Sequence, residues 1–364
     1  MKKYFAVAIL SLISGSLLAQ STPKYSNEFL NIGVGARAFG MGNANIASCD
    51  DVTSGYWNPA GLVGLKDNLQ LAFMHSAYLA GIANYDYGAF ATKLDDRRAI
   101  GVSMIRFSVD GIPNTLDLIR NGQIDYNRVT SFSASDYGFL FSYAQKTLVE
   151  GLTFGGNVKV IHRKAGQFTT AWGFGIDAAM QYKTKNEWQF AAMARDVTTT
   201  FNAWKFNFTD YEKDVFTQTQ NEIPKNSLEI TLPQFILGAA KYLPFNDNFG
   251  MLAEANARIN TDGQRNVLVS SKYINLDPNV GIEANYKKSV FIRAGLGKFQ
   301  KEGDINNEKV TTVQPSIGVG LKLGSLMLDY ALTDIGDVSS SLYSNMFSVR
   351  FSINKKGSST PTTK

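Results

Sequence analysis

Trp172-Gly173-Phe174-Gly175-Ile176-Asp177-Ala178-Ala179-Met180-Gln181-Tyr182 carries an apolar side chain at every even position and a small, polar or charged one at every odd position. A period of two is the mark of a strand with one apolar face. The stretch is about twice as long as the roughly 5–6-residue strand of a soluble sheet, and it matches the about 9–11 residues that a tilted strand needs to cross a bilayer. The alternation returns over Val280–Tyr286, where Val280, Ile282, Ala284 and Tyr286 face Gly281, Glu283 and Asn285. It returns again over Ile317–Leu323 and over Phe347–Ile353.

Working outward from these segments gives about fourteen strands, near 69–79, 84–93, 98–108, 137–147, 152–163, 171–183, 188–197, 234–242, 248–259, 279–287, 290–299, 313–323, 325–333 and 345–354. After the first short connection, tight turns such as Asp95-Asp96-Arg97, Thr184–Glu187 and Gly324 alternate with long connections near 109–136, 164–170, 198–233, 260–278, 300–312 and 334–344. Sorting of loops by parity belongs to outer-membrane barrels, with short periplasmic turns and longer outside loops. Tyr137, Tyr182, Trp188 and Tyr330 fall near strand ends, where an amphipathic ring meets headgroups. The expected fold is therefore all-β: a transmembrane antiparallel barrel of about 14 strands over residues 69–354. An even strand count puts both termini on the periplasmic side.

Composition agrees. Only 18% of the 364 residues are charged, against about 25% in an ordinary soluble domain. Five of the positive charges, Lys2, Lys3, Lys355, Lys356 and Lys364, lie at the extremes of the chain and account for the whole formal charge of +5. The neutral body between them has no electrostatic footprint for nucleic acid. Cys49 is the only cysteine, and His75 and His162, the only histidines, fall on predicted strands. No disulfide, cysteine–histidine metal set or nucleophile–base pair can be assembled from these, so neither an enzyme nor a cofactor or metal is expected.

Residues 1–19 read as a signal peptide: Lys2-Lys3, an apolar run from Tyr4 to Leu18, and Ala19 before the cut, although Leu17 departs from the usual small residue. No later stretch reaches 18 apolar residues, so no spanning helix is expected. The location expected is the outer membrane of a Gram-negative bacterium, in contact with its lipid. Residues 355–364 form a polar periplasmic tail.

Residues 20–68 do not alternate. They are rich in small residues, with Gly33, Gly35, Gly40, Gly42 and Gly55, yet they carry Phe39, Met41, Tyr56 and Trp57, which need burial. Gly33-x-Gly35-x-x-Ala38 mimics a dinucleotide fingerprint, but no strand precedes it and no βαβ unit surrounds it. A segment threaded through a crowded lumen needs close backbone approach, which glycine permits. Pro59 sets a turn and pushes Asn58 out of helical geometry. Arg37, Asp50 and Asp51 are placed to pair with lumen charges, and parity turns Lys159, Arg163, Asp177, Glu254, Asn256, Arg258, Glu283, Arg293, Lys322, Asp329 and Arg350 inward.

The run from Phe29 to Gly42, followed by Asp50-Asp51 and Trp57-Asn58-Pro59-Ala60, resembles the N-terminus of the PorV/PorQ family, within the wider FadL-like group of fourteen-stranded barrels. The sequence departs from that pattern at Gly61, where a lysine is expected. The resemblance implies that residues 20–68 fold inside the barrel as a hatch, and that Asn58-Pro59-Ala60 is its Asn-Pro-Ala element. It also implies a role in type IX protein secretion, binding cargo or partners of the secretion machinery. FadL relatives instead pass hydrophobic small molecules, and that is the alternative reading. Pro315 cannot donate a ladder hydrogen bond, so it is expected at a bulge or strand end, where it marks a candidate lateral gap. The aromatic loop near 198–233, with Trp204, Phe206, Phe208 and Phe216, suits either a partner surface or a cover over its own barrel mouth.

Overall fold

The computed structural model describes residues 25–120, 122–303, 309–335 and 343–354. The leader expected over 1–19 and the tail 355–364 lie outside the described residues. Fourteen strands make up the wall. They are β1 (Leu69–Tyr78), β2 (Ala83–Lys93), β3 (Arg98–Asn114), β4 (Thr130–Lys146), β5 (Leu152–Ala165), β6 (Thr169–Lys183) and β7 (Trp188–Arg195), then β8 (Gln234–Pro244), β9 (Phe249–Asn260), β10 (Asn275–Tyr286), β11 (Val290–Gly303), β12 (Lys309–Leu323), β13 (Leu326–Thr333) and β14 (Ser344–Ile353). Each pairs antiparallel with the next, and β14 returns to β1 with Leu69 opposite Ile353, so the sheet closes into a barrel. Among the described residues no helix is long and apolar enough to cross a membrane.

Alternation positions every wall residue. On β6, Trp172, Phe174 and Ile176 are 52, 49 and 45% exposed, while Asp177 on the opposite face of the same strand is 2% exposed. Apolar side chains therefore cover the face turned away from the barrel axis, and the inward face mixes small and polar residues with buried apolar ones such as Tyr85, Ile105, Leu140 and Ile161.

Two of the long connections carry more strand than their composition suggests. The β3–β4 hairpin rises to Asn114 and Thr130 through a bulge between Val109 and Ile112, which breaks the period of two that sequence reading relies on. In the 198–233 region, Thr200–Phe206 continues the lane of β7: β6 pairs with β7 through residues 178–183 and with this second piece through 169–174. Ser227–Thr231 pairs with it in turn. The lane breaks at 196–199, where Asp196 and Thr199 adopt positive φ of 55° and 57°.

At that break the Asp196 backbone N–H donates to Asp177 Oδ1 at 3.0 Å. Lys159 Nζ lies 2.8 Å from Asp177 and 2.5 Å from Asp196, with all three side chains nearly out of solvent. Pro315, by contrast, stands where β12 runs past the end of β13, whose last pair is Thr333 with Ser316. It pairs with Leu296 beside the Gly297–Gln300 bulge, and its carbonyl accepts from the Asp334 N–H at 3.1 Å. N–H and C=O of one residue face the same neighbour in an antiparallel ladder, so the missing donor faces the end of β13 and removes no bond from the β11–β12 ladder.

Removing one member of a buried ion cluster strands the others, at a cost of about 3–5 kcal/mol. Lys159→Ala should therefore lower the barrel's resistance to urea in lipid vesicles by that order. A change below ~1 kcal/mol would mean that the break at 196–199 is held by backbone pairing alone.

Candidate functional site

Residues 25–68 lie inside the ring of strands. They contain only short helical turns, Ala36–Gly40, Ser54–Trp57 and the 3-10 turns Glu28–Asn31 and Pro59–Gly64, and their backbone groups are satisfied by bonds within those turns and by side chains of the wall. Glu254 on β9 accepts from the Ala47 and Ser48 N–H groups at 2.8 and 3.1 Å. Gln181 on β6 donates to the carbonyls of Ala47 and Cys49, and Asn157 on β5 donates to that of Gly55. Arg195 on β7 donates to the carbonyls of Leu30 and Tyr56 and places its guanidinium 4.5 Å from the Tyr56 ring centre.

The glycines divide into two kinds. Gly33, Gly35 and Gly42 hold φ of 112°, 81° and 63°, which a side chain disfavours. Gly40 has no such need, but a Cβ there would stand 2.9 Å from the Gly318 Cα of β12. Its contact is backbone on backbone.

Asn58 is extended, with φ −158°, and caps the turn that Pro59 begins: its Oδ1 accepts from the Ala60 N–H at 3.1 Å. Its amide donates to the carbonyls of Ile46 and of Met180 on β6. The cap thus also ties the segment to the wall. Trp57, 2% exposed, donates from Nε1 to the Val34 carbonyl at 2.9 Å and meets Tyr56 edge-on at 5.0 Å.

Charges run through the same interior. Arg37 lies 2.9 Å from Glu283 on β10, Glu283 lies 2.6 Å from Arg293 on β11, and Arg293 lies 2.7 Å from Asp329 on β13. Asp51 pairs with Arg350 on β14. Asp50 is looser, 3.9 Å from Lys66 and 4.0 Å from Lys183. Burial works against the charge of Arg37, yet Glu283 holds its guanidinium well above the usual range.

Gly33, Gly35, Arg37, Gly40, Gly42, Asp50, Asp51, Trp57, Asn58, Pro59 and Ala60 thus all fall within this interior segment, while Pro315 stands apart in the wall. Sequence reading gave no weight to the glycines on the facing strands. A Cβ at Gly155 would stand 2.4 Å from the Ala60 nitrogen, and one at Gly295 would stand 2.1 Å from the Met41 carbonyl carbon. Glycine at inward positions of otherwise regular strands was the available signal.

Above and below the segment lie two cavities. One, of about 650 Å³ at the short-turn end, is lined by Arg37, Asp51, Glu283, Lys322 and Arg350 among others. The other, of about 640 Å³ at the long-loop end, is lined by Tyr25, Phe29, Tyr78, Phe107, Arg258 and Asp277 among others. Beside the second mouth the rings of Trp204, Phe206 and Phe208 stack in sequence, Phe216 meets Phe208 edge-on, and Phe208 packs on Phe168. The helix Asp210–Gln218 is tethered to the neighbouring loop by Tyr211 Oη donating to Asp117 at 2.7 Å. The aromatic loop therefore packs largely on its own rings.

Comparison with known proteins fits this geometry. A family model described as type IX secretion system protein PorV matches residues 19–232. No curated protein matches the sequence. Among solved structures, the CymD monoaromatic hydrocarbon channel is similar with a TM-score of 0.58 at 13% identity, over 91% of this chain and 100% of that one. The Pseudomonas putida toluene transporter TodX gives 0.56 at 13%, over 89% and 98%. The Ralstonia pickettii toluene transporter TbuX gives 0.52 at 14%, over 88% and 99%. At such identities the likeness is one of fold.

Trp57→Ala combined with Asn58→Ala removes a buried indole, worth about 3–5 kcal/mol, and the cap. Limited proteolysis of the folded barrel should then cut within residues 27–64 while the strands stay intact. Equal protection in variant and wild type would show that other contacts suffice to hold the segment.

Proposed function

This chain belongs to the PorV family of type IX secretion system proteins, which are outer-membrane β-barrels, and from that membership we propose that it serves type IX secretion as a non-enzymatic docking barrel. In this reading the long loops face outward, both ends of the chain are periplasmic, and the outer mouth binds secreted cargo or a partner in the secretion machinery. Residues 20–68 act as a hatch that keeps the lumen shut.

The observation that carries the reading is the packed, charged interior. Trp57 and Asn58 are almost wholly buried between the two cavities, and the ion pairs of Arg37, Glu283, Arg293 and Asp329 cross the space that a conduit would need. A path for hydrophobic molecules calls for an open apolar lining, whereas the inward apolar side chains of the wall, such as Tyr85, Ile105, Leu140 and Ile161, are packed in one core with Tyr56, Trp57 and Leu62 of the N-terminal segment. The hydrocarbon-channel and toluene-transporter titles of the structural neighbours support the alternative, passage of hydrophobic small molecules, by fold alone.

Deletion of the gene should leave type IX cargo in the periplasm or release it unattached, with uptake of hydrophobic compounds unchanged. Impaired uptake with normal surface attachment of cargo would favour the transporter.

A further inference from the structure

The outward face of the barrel is apolar up to one row, with a further polar row of Asn84, Ser108, Ser135, Lys164 and Thr170 on its long-loop side. Following the register from β1 to β6, His75, Asp86, Arg106, Tyr137, His162 and Trp172 stand opposite one another in turn. His75 Nδ1 lies 2.7 Å from Asp86 Oδ1, and Arg106 Nη1 donates to Asp86 Oδ2 at 2.9 Å. The His75 side chain is 63% exposed, and those of Asp86 and Arg106 are about one-third exposed. Directly beneath, the next outward row reads Phe73, Gly88, Met104, Phe139, Val160 and Phe174, without a polar side chain. In the other direction from His75 the row continues through Phe347, Tyr330, Val319 and Ile292, without a charge.

Depth decides what this row means. Barrel strands tilt by about 35–45°, so a row perpendicular to them is also a slope across the membrane. From Trp172, near the long-loop end of β6, the row reaches His75 after five strand-to-strand steps. After seven more it reaches Leu243, next to the short-turn end of β8. His75 and Asp86 therefore lie near the middle of the wall, with Arg106 a little higher. Hydrocarbon offers them no hydrogen bond, and lipid-facing charge at that depth is costly. Lipid phosphates sit at the headgroup level, too high to meet them.

We propose that the outward face of β1–β3 is the contact surface for another membrane-embedded protein, which covers His75, Asp86 and Arg106 within the bilayer and offers them hydroxyl, amide or carboxylate groups. A second copy of this chain fits poorly, because a two-fold axis through the row sets Asp86 against Asp86 or its neighbours against themselves. The strands are also shorter here than in the wall that follows. β13, β14, β1 and β2 have 8, 10, 10 and 11 residues, against 17, 17, 14 and 15 in β3 to β6. This contact is separate from cargo docking and does not depend on it.

The test is site-specific photo-crosslinking in native outer membranes, with the photoreactive residue in place of Phe73, and in place of Ile292, four strands away on β11, as control. The expected result is one discrete membrane-protein adduct from position 73 and none from 292, reduced at least tenfold by the double change Asp86→Leu and Arg106→Leu. Heat-modified electrophoretic mobility reports whether that variant is folded, and Asp86→Asn is read in its place if it is not. Adducts with lipid alone, adducts with a second copy, or an adduct indifferent to these changes would overturn the proposal. Cargo attachment is scored independently, so failure of either reading leaves the other standing.

Discussion

Closure of the sheet is the constraint from which the rest follows. A backbone N–H or C=O facing lipid has no water to turn to, so every wall strand needs a neighbour on both sides. The ladder between β14 and β1, running from Leu69 opposite Ile353 to Ala77 opposite Asn345, supplies the last pairing. Closure then fixes the sidedness of every strand and encloses an interior of charged, polar and apolar side chains that must itself be filled. Bulges at Val109–Ile112 and Gly297–Gln300, and the break at 196–199, are local departures that the ring tolerates because pairing resumes beyond each.

An enclosed interior sets a second problem, that of buried charge. Ionised groups removed from water are stable only when paired and hydrogen-bonded. The wall solves this with acids and bases on different strands that meet through the N-terminal segment: Glu283 is shared between Arg37 and Arg293, and Glu254 spends its carboxylate on two backbone N–H groups. Such pairs add little net stability compared with apolar packing, but they penalise any other placement of the segment. Arg37 withdrawn from Glu283 would leave charge unmatched on β10, β11 and β13 together.

Much of the wall was legible because the period of two survives wherever a strand is regular. Fourteen segments could be read from alternation alone, and the tight turns that separate them were marked by Asp, Asn and Gly. What escaped were places where pairing continues while the period breaks. Thr200–Phe206 sits in a stretch read as loop because Asp196–Thr199 resets the parity, and the upper β3–β4 hairpin hides behind its bulge. Inside the barrel, Arg37, Trp57 and Asn58 stood out as residues needing partners, but their partners are hundreds of positions away in some cases. Register between distant strands decides those, and one sequence without its fold does not contain it. Inward glycines such as Gly155 and Gly295 were visible as residues yet not as contacts, since only the placed segment shows what they make room for.

Cys49 offers the most direct measurement, because the only cysteine of the chain sits within the interior segment. It is fully buried, 3.5 Å from the Ile46 carbonyl, and desolvation together with the nearby Glu254 pushes its thiol up to about 12. In the folded barrel at neutral pH, a small maleimide should leave Cys49 unmodified, and unfolding by heat and detergent should release one reactive thiol per chain. Rapid labelling of the folded, membrane-inserted protein would show that residues 25–68 are not held inside the ring, and would contradict the account at its centre.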